Sequence, residues 1–297
     1  MVAALFPRTV RRIEPRSRGD AIDLPEFLLF KDCLHIPNLI LLGDPGMGKT
    51  FTFKQAAVYE GAEYFTVRSF LRKRGKNCKD KTIYLDALDE FRSRGEDGKI
   101  IDKLVEVINE CGCNRIRLSC RAADWLGDTD LAALKDAFIE DQFAVVSLEP
   151  LSKKEIIWIL EGEQFLHADA FMLDAEKRNV NQLLSNPQTL LMLVEVVIQG
   201  DWPKNKKELY EKCTNLLLKE SNQEHGRLDV GKFQPDELIS MAGMICATLL
   251  ISNVQSICLL GSASGDDSPS YRHLLIHKSA IRQFTGHLNP INAVQHP

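Results

Sequence analysis

Residues 43 to 50 read Gly43-Asp44-Pro45-Gly46-Met47-Gly48-Lys49-Thr50, a G-x-x-x-x-G-K-T loop whose residue types suit phosphate chemistry. The glycines let the backbone approach phosphate oxygens closely, and Lys49 supplies a cation long enough to reach β- and γ-phosphates. The Thr50 hydroxyl is a suitable Mg²⁺ ligand. Phe51 to Glu60 can run as a helix, so its N-terminal amides add positive potential beside the loop. Phe51 itself joins the loop as a candidate nucleotide contact. Ahead of the loop, the apolar run 38–42 suits a buried strand. A glycine-rich turn matching by chance lacks such flanks. The segment therefore implies a nucleoside triphosphate site.

A second chemical segment is Ile83-Tyr84-Leu85-Asp86-Ala87-Leu88-Asp89-Glu90. In parallel sheets ligands bind at the carboxyl ends of the strands, so a strand ending in Asp86 can serve a metal there. Mg²⁺ sheds water reluctantly, so Asp86 is expected to act through a bound water. Asp89 or Glu90 could orient or deprotonate the water that attacks the γ-phosphate. Taken alone, the octapeptide also reads as an acidic helix N-cap. A further strand ends Leu118-Ser119-Cys120-Arg121, and Arg121 could either sense the γ-phosphate or make a surface salt bridge. Arg92 and Arg94 lie near in sequence, but no arginine finger can be assigned. The N-K-x-D sequence that reads guanine is missing, which favours ATP and ADP over GTP.

These residues need a scaffold, and the rest of the chain supplies one. Strand-like runs at 38–42, 63–68, 82–86, 115–120 and 142–147 alternate with helical stretches. Residues 98–110 place Ile101, Leu104, Val105 and Ile108 on one helical face. Alternation of this kind predicts an α/β fold with a parallel sheet covered on both sides. After Pro150 the pattern becomes helical. Ser152-Lys153-Lys154-Glu155 is a capping box, and Asn186-Pro187 places an N-cap and an N1 proline before an apolar stretch that should be buried. Leu209, Cys213, Leu216 and Leu217 mark another amphipathic helix.

Composition sets limits. The chain has 297 residues, 44% of them hydrophobic and 26% charged, with a net charge of −4. That balance gives no global attraction to nucleic acid or anionic membrane. Arg68, Arg72, Lys73, Arg74, Lys76, Lys79 and Lys81 crowd one connection, but only Phe70 accompanies them, which favours a solvated loop over a nucleic-acid grip. The uncharged stretch 238–265 is strongly apolar only over 238–251, too short to span a bilayer, and predicts a buried helix. Eight scattered cysteines without a secretory signal imply reduced thiols and a cytoplasmic location. Cys111-Gly112-Cys113 lacks a second pair at zinc spacing. His273 and His277 lack the acid of a zinc-protease motif. The arginine-rich N-terminus carries Pro7, Glu14 and Pro15 and reads as a flexible arm.

The phosphate loop, the LDALDE segment and an arginine closing the next strand together resemble a NACHT-type NTPase of the STAND class (signal-transduction ATPases with numerous domains). The strings at 119–127 (SCRAADWLG) and 186–193 (NPQTLLML), with Trp202-Pro203, resemble a bacterial branch. The resemblance covers about residues 35 to 255. It implies a P-loop sheet ordered 5-1-4-3-2 followed by an all-helical domain. The expected layout is an N-terminal arm (1–34), an NTPase core (35–149), a helical lid (150–203), a helical, winged-helix-like region (204–260) and a poorly defined tail (261–297). The resemblance also implies that Pro187 contacts adenine, although an ordinary N1 proline fits the sequence equally well. It further implies a switch that is closed with ADP and opens with ATP to self-associate or engage a partner protein. Bacterial members are often linked to defence against phage. No effector domain precedes the core and no repeat array follows it, so a truncated product or a minimal module is expected. A non-hydrolysing module that keeps ATP or ADP as a structural cofactor is the alternative to a slow ATPase switch.

Overall fold

The computed structural model describes residues 5–13, 24–89, 99–135, 142–162, 167–200, 202–224, 235–252, 256–259 and 273–276. Glu90, Arg92, Arg94, His277 and most of the tail at 261–297 lie outside these residues.

In chain order the first elements are β1 (Thr9–Ile13), β2 (Phe27–Leu29), β3 (Asn38–Leu42), α1 (Lys49–Glu60), β4 (Glu63–Thr66) and α2 (Val67–Lys73). They continue with β5 (Thr82–Asp86), α3 (Lys99–Cys111), β6 (Arg115–Cys120), α4 (Asp128–Lys135) and β7 (Phe143–Leu148). The strands form one sheet in the order β2-β1-β7-β3-β6-β5-β4. From β7 to β4 every neighbouring pair is parallel, whereas β1 joins β7 and β2 antiparallel. The glycine-rich loop at 43–48 thus leaves β3, in the middle of the sheet, and runs into α1.

Side chains alternate across β3 and divide two cores. Ile40 and Leu42 face a cluster holding Val67 and Phe70 of α2, Ile101, Leu104 and Ile108 of α3, and Leu134 of α4. Leu39 and Leu41 face the other cluster, with Phe53, Ala56 and Ala57 of α1 and with Phe30 and Ile36. A strand buried on both faces reads as a continuous apolar run, which is why 38–42 carries no polar alternation.

Two local expectations change. The N-terminal arginine-rich segment is not a loose arm over residues 5–13. Val10 and Phe6 are buried, β1 extends the sheet, and the Arg8 guanidinium is 1% exposed because it pairs with Glu155 at 2.8 Å. The strand expected over 63–68 stops at Thr66, whose hydroxyl accepts the Ser69 N–H at 3.2 Å and so caps α2.

The helices after Pro150 are α5 (Lys153–Gly162), α6 (Ala168–Lys177), α7 (Pro187–Gln199), α8 (Lys206–Glu224) and α9 (Pro235–Ser252). The capping box closes α5 as expected: the Glu155 carboxylate accepts from Ser152 N at 2.7 Å, and Ser152 Oγ accepts from Glu155 N at 3.4 Å. Helix α7 buries Leu190, Leu193, Val194 and Val196 but leaves Leu191 and Ile198 exposed, so it is buried on one side rather than all round. The Trp202 ring packs on Phe171 of α6, with centroids 4.8 Å apart, and beneath the Arg178 guanidinium.

Contacts divide the chain into two compact units, residues 1–92 with 96–213, and residues 93–95 with 214–297. In the second unit, β8 (Ser256–Leu259) and β9 (His273–Ile276) pair in parallel. The apolar stretch at 238–251 does form a helix, α9, but none of the positions whose burial is described is fully buried. Composition reported a helix there, and burial needs a covering surface as well. Among the described residues, no helix is long and apolar enough to cross a membrane.

Candidate functional site

The loop between β3 and α1 is shaped by two glycines with positive φ, Gly46 at 79° and Gly48 at 87°. L-residues with a side chain rarely adopt that conformation, so these two positions need glycine for their backbone alone. At Gly46 the space is closed too: an added Cβ would lie 2.6 Å from Gln188 Oε1 and 2.9 Å from Asn186 Oδ1. At Gly48 the nearest atom to such a Cβ is Pro187 Cγ, at 3.7 Å. The first turn of α7 therefore sits directly against the phosphate loop.

Gly48 is the N-cap of α1, and its carbonyl accepts the first intrahelical bond from Thr52 at 2.9 Å. The amides of Lys49, Thr50 and Phe51 are left at the open helix end, where no described residue accepts from them. Lys49 curls back over the loop and donates from Nζ to the Gly43 carbonyl at 2.6 Å and the Asp44 carbonyl at 3.3 Å. Burial holds the Lys49 pKa below the ordinary lysine value. The Asp89 and Asp86 carboxylates act in the opposite direction, and Arg121 adds to the depression.

Asp86 ends β5 and is 3% exposed. Its two oxygens accept from Tyr64 Oη at 2.7 Å and from Ser119 Oγ. The next residue, Ala87, has φ 63° and donates its N–H to the same Ser119 hydroxyl at 3.0 Å. Ser119 therefore fixes both the carboxylate and the turn that follows it. Asp89, 7% exposed, accepts from Arg121 Nε at 2.7 Å and from the Arg121 backbone N–H at 3.2 Å. Thr50, Asp44 and Pro45 are exposed, and Gly43 and Met47 are buried. Phe51 is half exposed and meets Phe6 edge-on at 6.1 Å, while Phe6 stacks on Trp158 at 4.4 Å. Glu90 lies outside the described residues.

The donor set suits a nucleotide with Mg²⁺. Two left-handed glycines and open helix amides suit phosphate oxygens, and an anchored carboxylate that only accepts suits the water shell of a hard cation. Among the described residues, no group of three or more His, Cys, Asp or Glu is placed to hold a metal ion. A metal at Asp86 would depend on Thr50, phosphate and water for its other ligands.

No protein-family model matches the chain, and no curated protein matches it. Among solved structures, the crystal structure of domain III from the Thermotoga maritima replication initiation protein DnaA is similar. That match is 15% identical, covers 60% of this chain and 83% of that chain, and has a TM-score of 0.36.

Several residues of the site had no signal of their own in the sequence. Tyr64 and Ser119 hold Asp86 from neighbouring strands, and Gln188 meets Gly46 from a helix over 140 residues away in the chain. Arg8 reaches Met47 O at 3.3 Å and Glu149 O at 2.9 Å, while its partner Glu155 also accepts from Thr9 N at 2.8 Å. Only the capping-box role of Glu155 could have flagged that cluster.

Proposed function

We propose that this chain binds ATP at residues 43–50 and works as a slowly hydrolysing nucleotide switch of the NACHT type within the STAND class. The observation that carries the reading is the loop geometry itself: Gly46 and Gly48 hold left-handed φ of 79° and 87°, and Lys49 Nζ folds over the Gly43 carbonyl at 2.6 Å.

In this reading the amides of Gly46, Gly48 and the first turn of α1 hold the β- and α-phosphate oxygens, and Lys49 leaves the Gly43 carbonyl to reach the β- and γ-phosphates. Thr50 and Asp86 would hold Mg²⁺, which would supply charge neutralisation to the bound phosphates. Arg121 turns from Asp89 towards the γ-phosphate, and Asp89 or Glu90 then orients the attacking water. Phe51 and Pro187 flank the nucleotide. While Arg121 and Asp89 stay paired, the candidate base is engaged elsewhere, which favours slow turnover. The same pairing supports the second reading, a non-hydrolysing module with ATP or ADP as a structural cofactor. ATP-dependent self-association or partner binding and a role in defence follow from the family resemblance, and a cytoplasmic setting from the eight scattered cysteines.

Isothermal titration of Mg-ATP into the protein and its Lys49→Ala variant tests the reading. Wild type should bind, the variant should bind at least about tenfold more weakly, and turnover should stay below about one per second. Wild-type protein that takes up neither ATP nor ADP overturns it. Binding without any turnover, unchanged by Asp89→Asn with Glu90→Gln, selects the module.

A further inference from the structure

Three successive carbonyls of the phosphate loop are each held from outside the loop. Asn186 Nδ2 donates to Pro45 O at 3.2 Å, Gln188 N donates to Gly46 O at 3.2 Å, and Arg8 Nη2 donates to Met47 O at 3.3 Å. The donors belong to the first turn of α7 and to the segment entering β1.

A trans peptide is planar, so its N–H points opposite to its C=O. Holding Pro45 O therefore aims the Gly46 N–H to the other side, and holding Met47 O does the same for the Gly48 N–H. No described residue accepts from either amide. The Met47 N–H, between them, is used within the loop, donating to Asp44 O at 3.3 Å. Glycines with free φ and ψ would otherwise sample many peptide orientations, and ordering them on binding would cost affinity.

We propose that Asn186, assisted by Arg8, is a positioning residue that pre-sets the Gly46 and Gly48 amides to receive phosphate. This rests on the reading that the loop binds a nucleotide. Asn186 has two separable duties. Its Oδ1 caps α7, accepting from Gln188 N at 2.9 Å and Thr189 N at 3.3 Å, whereas its Nδ2 serves the loop. The coupling also runs in reverse: whatever lifts the first turn of α7 off the loop loosens the phosphate grip.

Asn186→Ser tests this, because serine keeps the cap and discards the Nδ2 donor. Affinities for ADP and for adenosine are measured by displacement of a fluorescent ADP, together with the melting temperature of the nucleotide-free protein. Loss of one pre-set amide should weaken ADP about fivefold. Adenosine should stay within about twofold of wild type, and melting should shift by less than about 2 °C. Asn186→Ala should lose the same ADP affinity and also melt lower. ADP bound as tightly as by wild type overturns the proposal, and so does an equal loss for adenosine. Should Asn186→Ser not fold, Asn186→Thr takes its place, since threonine also keeps the cap without the Nδ2 donor, and the same two outcomes decide. Failure of the wild-type protein to bind ADP at all counts against the nucleotide reading and is seen separately.

Discussion

The Arg121 guanidinium lies 2.7 Å from the Asp89 carboxylate, and that carboxylate also accepts the backbone N–H of Arg121 at 3.2 Å. Asp89 is almost buried while the Arg121 side chain is 47% exposed, so the arginine is the partner free to leave. Arg121→Ala leaves the nearly buried Asp89 carboxylate with only the backbone N–H of residue 121, so it should cost about 1–3 kcal/mol and lower the melting temperature by several degrees. On the proposed nucleotide-switch reading, Arg121→Ala should lower the ratio of ATP to ADP affinity, measured by titrating both nucleotides with Mg²⁺. An unchanged ATP-to-ADP ratio would mean that Arg121 is an ordinary salt-bridge residue.

A second arginine on the same strand is structural. Arg117 is fully buried, and its guanidinium donates to Leu34 O at 2.9 Å, Ile36 O at 2.9 Å and Pro37 O at 2.7 Å. It also pairs with Glu60 at 3.4 Å, and Glu60 accepts from the buried Tyr84 hydroxyl. Breaking such a network leaves buried carbonyls without their donor and the Glu60 carboxylate without its cation, at a cost of about 3–5 kcal/mol for Arg117→Met. Arg117→Lys should fail nearly as badly, because one ammonium cannot satisfy the same fork of acceptors. Urea unfolding of both variants is the check, and a lysine variant within about 1 kcal/mol of wild type would refute the argument.

The contrast between these arginines explains how far the sequence could be read. The turn at 43–48 and the strand ending in Asp86 were legible because their conformation is local: a few adjacent residues dictate it. Strands β3, β5 and β7 were legible because burial leaves short apolar runs, whereas the edge strand β4 is half exposed and β6 carries two arginines. Arg8 and Arg117 were not, since arginine is ordinarily exposed and what buries these two is distant in the chain, Glu155 for one and the 34–37 carbonyls with Glu60 for the other. The β1 strand was hidden for the same reason, its Val10 being flanked by Arg8, Arg11 and Arg12. Asp86 could be picked out alone, but the Ser119 and Tyr64 hydroxyls that fix it come from other strands and have no periodic signature.

Alkaline stability should depend on Cys33, which is fully buried beside the 34–37 turn. Burial, aided by the nearby Asp32, pushes its thiol from 9.0 up to about 12, with Arg117 pulling the other way. A folded-state pKa above the unfolded value means that the stability it contributes is fully present below pH 9 and is lost as pH rises towards 12. Cys33→Ala, which deletes only the sulfur, should therefore be destabilised relative to wild type at pH 8, and the gap should narrow at pH 10 and 11. Urea titrations of both proteins at the three pH values measure it. A gap independent of pH would show that the thiol does not titrate in the unfolding transition.

Ala87 offers a sharper test of local strain beside the site. Its φ of 63° is left-handed, a conformation that costs a residue with a Cβ about 1–2 kcal/mol. The turn persists because the Ala87 N–H donates to Ser119 Oγ and because buried neighbours on both sides, Asp86 and Leu88, leave the chain no other path. Glycine would remove the steric cost but would lose about 0.5–1 kcal/mol of backbone entropy on folding. The net expectation for Ala87→Gly is a protein as stable as wild type, or up to about 1 kcal/mol more stable. That outcome is unusual, since most glycine substitutions in ordered segments destabilise. The companion Ser119→Ala removes the hydroxyl that serves both Ala87 N and Asp86, and it should cost about 1–3 kcal/mol because it leaves buried polar groups without their partner. If the strain belongs to the turn, Ala87→Gly in the Ser119→Ala background should recover part of that loss. A glycine variant less stable than wild type by more than about 1 kcal/mol would mean that the positive φ at Ala87 stores no strain.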